Sequence, residues 1–563
     1  MVAADVPARS KHNQLPAHSH SQRPGCDCQK TKADLNDPKA KAYDPSDFAY
    51  SDEWDILRLS KEATTSQAAR NRIAKDYGIR WSVFNELPGW MPHGSAPFDP
   101  MHCLYLGIVN RLWCDVIEDG YLLNTRQKEL FESFLGDLTW PSQIGRLPSP
   151  TTSSLNRRKA DEWRRLISVL PIALWISWRN CFDQIADTAP NVPPQANKKP
   201  TFTRDLLAIW ECVIDLTTSI RLFTSWVAYT PDIERAEQYM QRYCEGLLRL
   251  LIKLQPNHHF AMHLRQYFEA FGPCYAWWLF PYERFNGILE QVELNNHPDE
   301  IDTSLARWWI RTHQLHNYLE RLPDNATPEE KAVLEQLCQN FQDRGTLLTM
   351  AESLHGEHPV IKPSAVPSTF IDLRSLDETS DIYVAVLGFA QAKWPRRNFL
   401  SDLAFGHAGE FFRSHKSARR LHFIHRNTIR YGCESSQHSQ SDQYALISTE
   451  TGCCPVKIRW HFQVEVPGEA PEICTLVSRL DMEDVPLLPW SLYADDLGYY
   501  VTKDNSFGPI EAVSPNQLVS PVVTGQFSMR GSADHLRIVI AYDRTGSELF
   551  DVTEIDGEGR RDL

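Results

Sequence analysis

Apolar residues recur at two different spacings along the chain, and the change falls near residue 365. Before it the spacing is helical. Met101, Leu104, Tyr105, Ile108, Val109, Leu112, Trp113 and Val116 follow one another at three- and four-residue steps, the stripe of a helix with one buried face. The same rhythm predicts helices over 51–77, 125–137, 160–183, 203–228, 232–254, 258–271, 282–295, 301–321 and 327–342. Asp99-Pro100 marks a helix start, because Asp caps a helix and Pro suits its first position. Pro171 is expected to kink or break the 160–183 helix, since it has no N–H for the helical ladder. Ala189–Pro200 carries four Pro and reads as a surface loop.

Beyond residue 365 the apolar runs become short and β-type: Ile382–Leu387, Thr428–Tyr431, Tyr444–Ser448, Val456–Val466, Ile473–Leu480, Gly498–Thr502 and His535–Tyr542. Turn residues separate them, which predicts a small C-terminal β-barrel or sandwich. The pattern as a whole is an α+β multidomain chain. Residues 1–47 hold almost no large apolar side chains and are expected to be disordered. A helical region follows over 48–345, then a linker over 346–380, the β domain over 381–550 and a flexible tail over 551–563. No fixed-period repeat is present.

Composition narrows the class. In 563 residues there are 36 Pro and 26 Gly, with 42% hydrophobic residues, so collagen, coiled coil and wholesale disorder are excluded. The longest apolar run, Leu166–Trp178, is shorter than the roughly 18 residues a membrane helix needs. His, Lys and Pro stand where a signal peptide would have an apolar core. The 13 Cys therefore read as reduced intracellular thiols. The net charge of -14 argues against a protein coated in nucleic acid. One basic cluster runs against that total: Lys393, Arg396, Arg397, Arg413, Lys416, Arg419, Arg420, Arg426 and Arg430. It is either a solvated face or a DNA contact.

Three segments carry candidate chemistry. Asp99 and His102 lie three apart at a predicted helix start. Glu283 opens another predicted helix within Phe280-Pro281-Tyr282-Glu283-Arg284-Phe285-Asn286-Gly287. His259 and His263 share one helical face. Each has a plainer reading: Asp99 as an N-cap, Glu283 answering a helix dipole, and a His pair without the Glu of a zinc-hydrolase helix. Cys26 and Cys28, with His18 and His20 nearby, form a candidate zinc site, although Cys-x-Cys is not the usual spacing.

The order of these segments resembles the transposases of CACTA (En/Spm) DNA transposons of fungal and plant type. The resemblance rests on Asp-x-x-His, a long helical insertion, and then Phe-Pro-x-Glu-Arg-Phe-Asn-Gly. Trp140-Pro141-Ser142, Gly145-Arg146-Leu147-Pro148, Ala160–Arg164, Pro256–His263, Gly272-Pro273, Ala276-Trp277-Trp278, Asn295–Glu300 and Pro489–Gly498 agree in order. It spans about residues 24–545. It implies a partial RNase-H-like core with an all-helical insertion at about 101–275. In such a core two aspartates and a glutamate hold Mg²⁺ or Mn²⁺ for in-line phosphoryl transfer on DNA. Asp99 would be the second aspartate and Glu283 the glutamate, both as catalytic residues and metal ligands. His102 would sit beside the scissile phosphate.

The family's first aspartate stands in an Asp-Gly context upstream of the Cys-containing segment. Only Met1–Gly25 precede that segment here, with Asp5 followed by Val6-Pro7, and Asp119-Gly120 comes too late in the chain. The expectation is a truncated, transposase-derived protein with an incomplete catalytic set, inactive alone in DNA cleavage and strand transfer. The alternatives are a DNA- or chromatin-binding protein using the basic cluster, and a protein-interaction scaffold. A nuclear location follows from the resemblance alone.

Overall fold

The computed structural model describes residues 27–142, 144, 146–148, 158–196, 199–225, 229–290, 292, 300–320, 326–330, 333, 361–363, 370–376, 381–405, 409–426, 429–436, 440–530 and 535–542. The chain divides into a larger unit, Met1–Trp277 with Val360–Leu563, and a smaller one, Trp278–Pro359. The larger unit is mixed α+β, with helices first and strands after Ile361. The smaller unit contains the Phe280–Leu289 and Ile301–Glu320 helices. Among the described residues, no helix is long and apolar enough to cross a membrane.

The helical half centres on three long helices, Ala160–Trp178, Leu206–Phe223 and Thr230–Arg249, with the middle one packed on both others. From Leu166 to Trp178 nearly every side chain of the first is buried, so it is a core helix without a polar face. Pro171 lies inside it and the helix runs on past it, so the break that its missing N–H could cause does not occur. The surroundings account for this. Trp210 Nε1 donates to the Pro171 carbonyl at 2.8 Å. The Thr217 hydroxyl, whose closer partner is Val213 O at 2.7 Å, also lies 3.5 Å from Ile167 O, the acceptor that Pro171 cannot serve. The expected 51–77 helix is two helices, Glu53–Glu62 and Gln67–Asp76, because Ser66 caps the second through Ala69 N.

The strand half is a curled antiparallel sheet. Its order is Tyr499–Lys503, His535–Ala541, Leu518–Ser528, Tyr444–Thr449, Gly452–Val464, Glu472–Leu480 and Phe507–Val513, with Ala418–Leu421 also paired to Gly452–Val464. Among the described residues the first and last strands of this path are not paired with each other, so the sheet they form is open. The run 382–387 is a correction: it belongs to a helix, Asp381–Lys393. Ile382, Tyr383, Val386, Leu387 and Ala390 are its buried residues, a helical spacing hidden in β-branched composition. Tyr383 fixes it by donating to Phe412 O at 2.8 Å.

The two halves are packed together as one unit. Trp175 meets Trp490 edge-on, with ring centroids 5.1 Å apart, and Phe527 at 5.7 Å. Tyr499 donates to Ser168 O at 2.6 Å. Thr139 and Thr524 exchange backbone hydrogen bonds, and the Asp442 carboxylate accepts from Ser142 N and Oγ at 2.7 and 2.8 Å. Part of the segment expected to be disordered is also built in. Residues 27–47 carry short 3₁₀ turns at Asp34–Asn36 and Pro45–Asp47, and Leu35 and Ala42 are buried.

Candidate metal centre

Cys28, His259 and His263 bring their ligating atoms within 4.8 Å of one another, and all three side chains are buried. Cys28 Sγ is 3.2 Å from His259 Nε2, which is 3.4 Å from His263 Nε2. Tetrahedral zinc, with bonds of about 2.3 Å to sulfur and 2.0 Å to nitrogen, sets its ligand atoms roughly 3.3–3.6 Å apart. The spacing therefore fits a metal ion with mixed sulfur and nitrogen ligands.

Local folding produces this arrangement. The expected 258–271 helix breaks at Met262–His263 into Pro256–Ala261 and Leu264–Phe271, so the two His sit on either side of a junction. Cys28 reaches them because its backbone bridges Tyr50, with Gln29 N donating to Ala49 O and Ser51 N to Asp27 O. His259 Nδ1 lies 2.7 Å from the Ala42 carbonyl, an acceptor that fixes the proton on Nδ1 and leaves Nε2 as a ligand. Burial pushes the His259 pKa down against the opposing pull of that carbonyl, so the ring is held in the neutral form a metal requires. His263 Nδ1 is 3.3 Å from the Gln266 side-chain amide, which can accept from it in the flipped orientation. Phe48 packs against both rings at 5.0 and 5.1 Å and closes the site with apolar surface.

Asp99 and His102 lie at the start of a helix that is wound as π-helix over Met101–Val109 and again over Leu112–Glu118. Asp99 is 1% exposed. Its Oδ1 accepts from Met101 N at 3.2 Å, and its Oδ2 accepts from His102 N at 3.0 Å. His102 Nδ1 is 2.5 Å from the same Oδ2. The capping reading and the Asp–His pairing are thus both realised in one carboxylate. Asp99 belongs to no group of three metal-capable side chains among the described residues. Phe98 stacks on Phe260 with centroids 4.3 Å apart, joining the Asp99 loop to the helix that bears His259.

Glu283 stands exposed in the first turn of the Phe280–Leu289 helix of the smaller unit. Cys26, His18 and His20 lie outside the described residues.

The basic cluster is laced to acidic partners. Lys393 pairs with Glu472 at 2.9 Å, Arg397 with Glu410 at 2.7 Å, Arg419 with Glu465 at 2.7 Å and Arg430 with Asp442 at 3.4 Å. Arg420 donates to the Ser435 carbonyl and lies over the Trp460 ring. Arg426 is half-buried, whereas Arg396, Arg413 and Lys416 are exposed. Paired charges project little potential beyond their partners, so the cluster offers DNA less than its residue count suggests.

No family model, curated protein or solved structure matches this chain. Sequence reasoning named all three residues of the cluster but placed them in two separate candidate sites. Cys28 was grouped with Cys26, His18 and His20, and His259 with His263. The pairing across 231 positions leaves no trace in local spacing.

Proposed function

We propose that the chain is a CACTA-type, transposase-derived protein whose Cys28/His259/His263 centre holds a structural zinc ion, and that by itself it does not cut DNA. The observation that carries the zinc assignment is the convergence of one thiol and two imidazoles, buried together at ligand spacing. Their burial favours a structural over a hydrolytic ion, because a catalytic zinc keeps a position open to substrate. Cys26, two residues from Cys28, is the candidate fourth ligand. When bound, the ion supplies a cross-link between the N-terminal segment and the Pro256–Ala261 helix.

Catalytic silence is supported at Asp99. Both of its oxygens are engaged by the helix start and by His102, and the carboxylate is shielded from solvent. A two-metal phosphoryl-transfer site needs several carboxylate oxygens converging on exchangeable ions. The transposase origin itself rests on the order of the Asp99-x-x-His102 and Glu283-Arg284-Phe285-Asn286-Gly287 segments. The test pairs metal analysis with a nicking assay on the full chain. About one zinc per chain, lost in Cys28→Ser and His263→Ala, is expected, with no nicking or strand transfer in Mg²⁺ or Mn²⁺. A zinc-free protein would remove the metal assignment. Nicking abolished by Asp99→Ala would remove the catalytic one.

A further inference from the structure

Asp27 is a buried acid between two cysteines, and its carboxylate is held from two directions. Its Oδ2 accepts from the Tyr267 hydroxyl at 2.5 Å, and its Oδ1 is 2.5 Å from His93 Nδ1. All three residues are buried: Asp27 is 6%, His93 7% and Tyr267 2% exposed. Both His93 ring nitrogens are buried, and among the described residues neither makes a hydrogen bond of good geometry, so the ring meets Asp27 through a close polar contact rather than an aligned hydrogen bond. A buried carboxylate is costly unless its oxygens are engaged, and a fold with no use for Asp27 would be better served by an apolar residue.

The placement of the partners suggests the use. Tyr267 follows His263 by four residues, one turn along the Leu264–Phe271 helix that His263 caps. Asp27 precedes Cys28 by one. The ligand pair Cys28 and His263 is thus flanked by the Asp27–Tyr267 hydrogen bond between the same two chain segments. His93 adds a third segment, the loop that leads to Asp99. That loop is itself fixed, because the Glu53 carboxylate accepts from His93 N at 3.2 Å and from Gly94 N at 2.7 Å.

We infer that Asp27, Tyr267 and His93 form a positioning clamp that sets the approach of Cys28 to the metal and ties the metal centre to the loop carrying Asp99. This rests on the zinc assignment made above. Partners that orient metal ligands typically contribute 10- to 100-fold in metal affinity, and the clamp holds the ligand-bearing backbone in the same manner.

The experiment measures zinc affinity of the full chain by competition with a chromophoric chelator, together with the visible absorption of the Co²⁺-substituted protein. Tyr267→Phe removes one hydroxyl and keeps the ring, so it tests the clamp without a cavity. Asp27→Asn tests the carboxylate. Tyr383→Phe removes a buried hydroxyl that donates to Phe412 O, away from the metal centre, and serves as the control. The expected result is a 10- to 100-fold loss of zinc affinity in Tyr267→Phe and Asp27→Asn, with a changed Co²⁺ spectrum, while Tyr383→Phe matches the wild type. Wild-type affinity and an unchanged spectrum in Tyr267→Phe would overturn the clamp and leave the zinc centre standing. Absence of zinc from the wild type would overturn the centre and the clamp with it.

Discussion

Trp490→Ala tests whether the helical half and the curled sheet are one cooperative body. Trp490 is 1% exposed and sits at the seam, edge-on to Trp175 at 5.1 Å and 6.3 Å from Phe527. Its indole Nε1 is buried and has no hydrogen-bond partner among the described residues, so truncation removes packing and no hydrogen bond seen there. Replacing a buried Trp by Ala costs about 3–5 kcal/mol. If the halves open together, that loss is shared by both. At about 1.4 kcal/mol per factor of ten, the slowest-exchanging amides should then speed up by roughly two to four powers of ten. Hydrogen exchange read separately in the Ala160–Trp178 helix and the Leu518–Ser528 strand gives the answer. Both should accelerate by the same factor. Acceleration in the strand with an unchanged helix would refute the reasoning and make the sheet an independent module.

Two further predictions concern the helical half. A Cβ on Gly107 would stand 2.0 Å from Asn257 Nδ2 and 2.8 Å from its Cγ. Gly107→Ala is therefore expected to cost about 1–3 kcal/mol by overpacking and to lower zinc affinity, because Asn257 is two residues from His259. Adding Asn257→Ala should recover most of both losses, and strictly additive effects would refute the contact. Asp215 pairs with Arg242 at 2.9 Å, yet burial pushes its pKa up to about 6 from the usual 3.8. A raised carboxyl pKa means its contribution to stability is complete below about pH 4 and is lost as pH rises through 6. The loss amounts to about 3 kcal/mol between pH 4 and 7. Unfolding free energies of wild type and Asp215→Asn should diverge by that amount over the window, and a pH-independent difference would refute the assignment.

The sequence was legible where periodicity alone decides structure. The 125–137 helix stands where its spacing predicts it, as Thr125–Asp137, and the strands at Tyr444–Thr449, Glu472–Leu480 and His535–Ala541 fall on their apolar runs. It was misleading where a neighbour overrides a local preference. Pro171 needs Trp210 and Thr217 beside it, and both come from the next helix. Ile382–Leu387 looks like a strand until Tyr383 is seen bonded to Phe412 O. The Ala418–Leu421 and Phe423–Arg426 strands were hidden by charge, since Arg419, Arg420 and Arg426 break the apolar runs that mark a strand.

The same reasoning separates the two halves of the candidate chemistry. Asp99 and His102 are three residues apart, so their pairing is a local event that helix geometry alone delivers. The convergence of Cys28, His259 and His263 is a long-range event, and these residues had to be read as two half-sites. What joins them is the ordering of residues 27–50, a stretch whose polar composition promises no core. Of its apolar residues Leu35, Ala42 and Phe48 are nevertheless buried, and Phe48 lies against both His rings. Binding a metal between this segment and the Pro256–Ala261 helix would replace the hydrophobic area that the segment lacks, since free energy of metal binding to a folded site is free energy of folding. Chelation should therefore release residues 27–50 first, before the three long helices lose protection. Limited proteolysis after chelator treatment that cuts the helices as early as this segment would contradict that order.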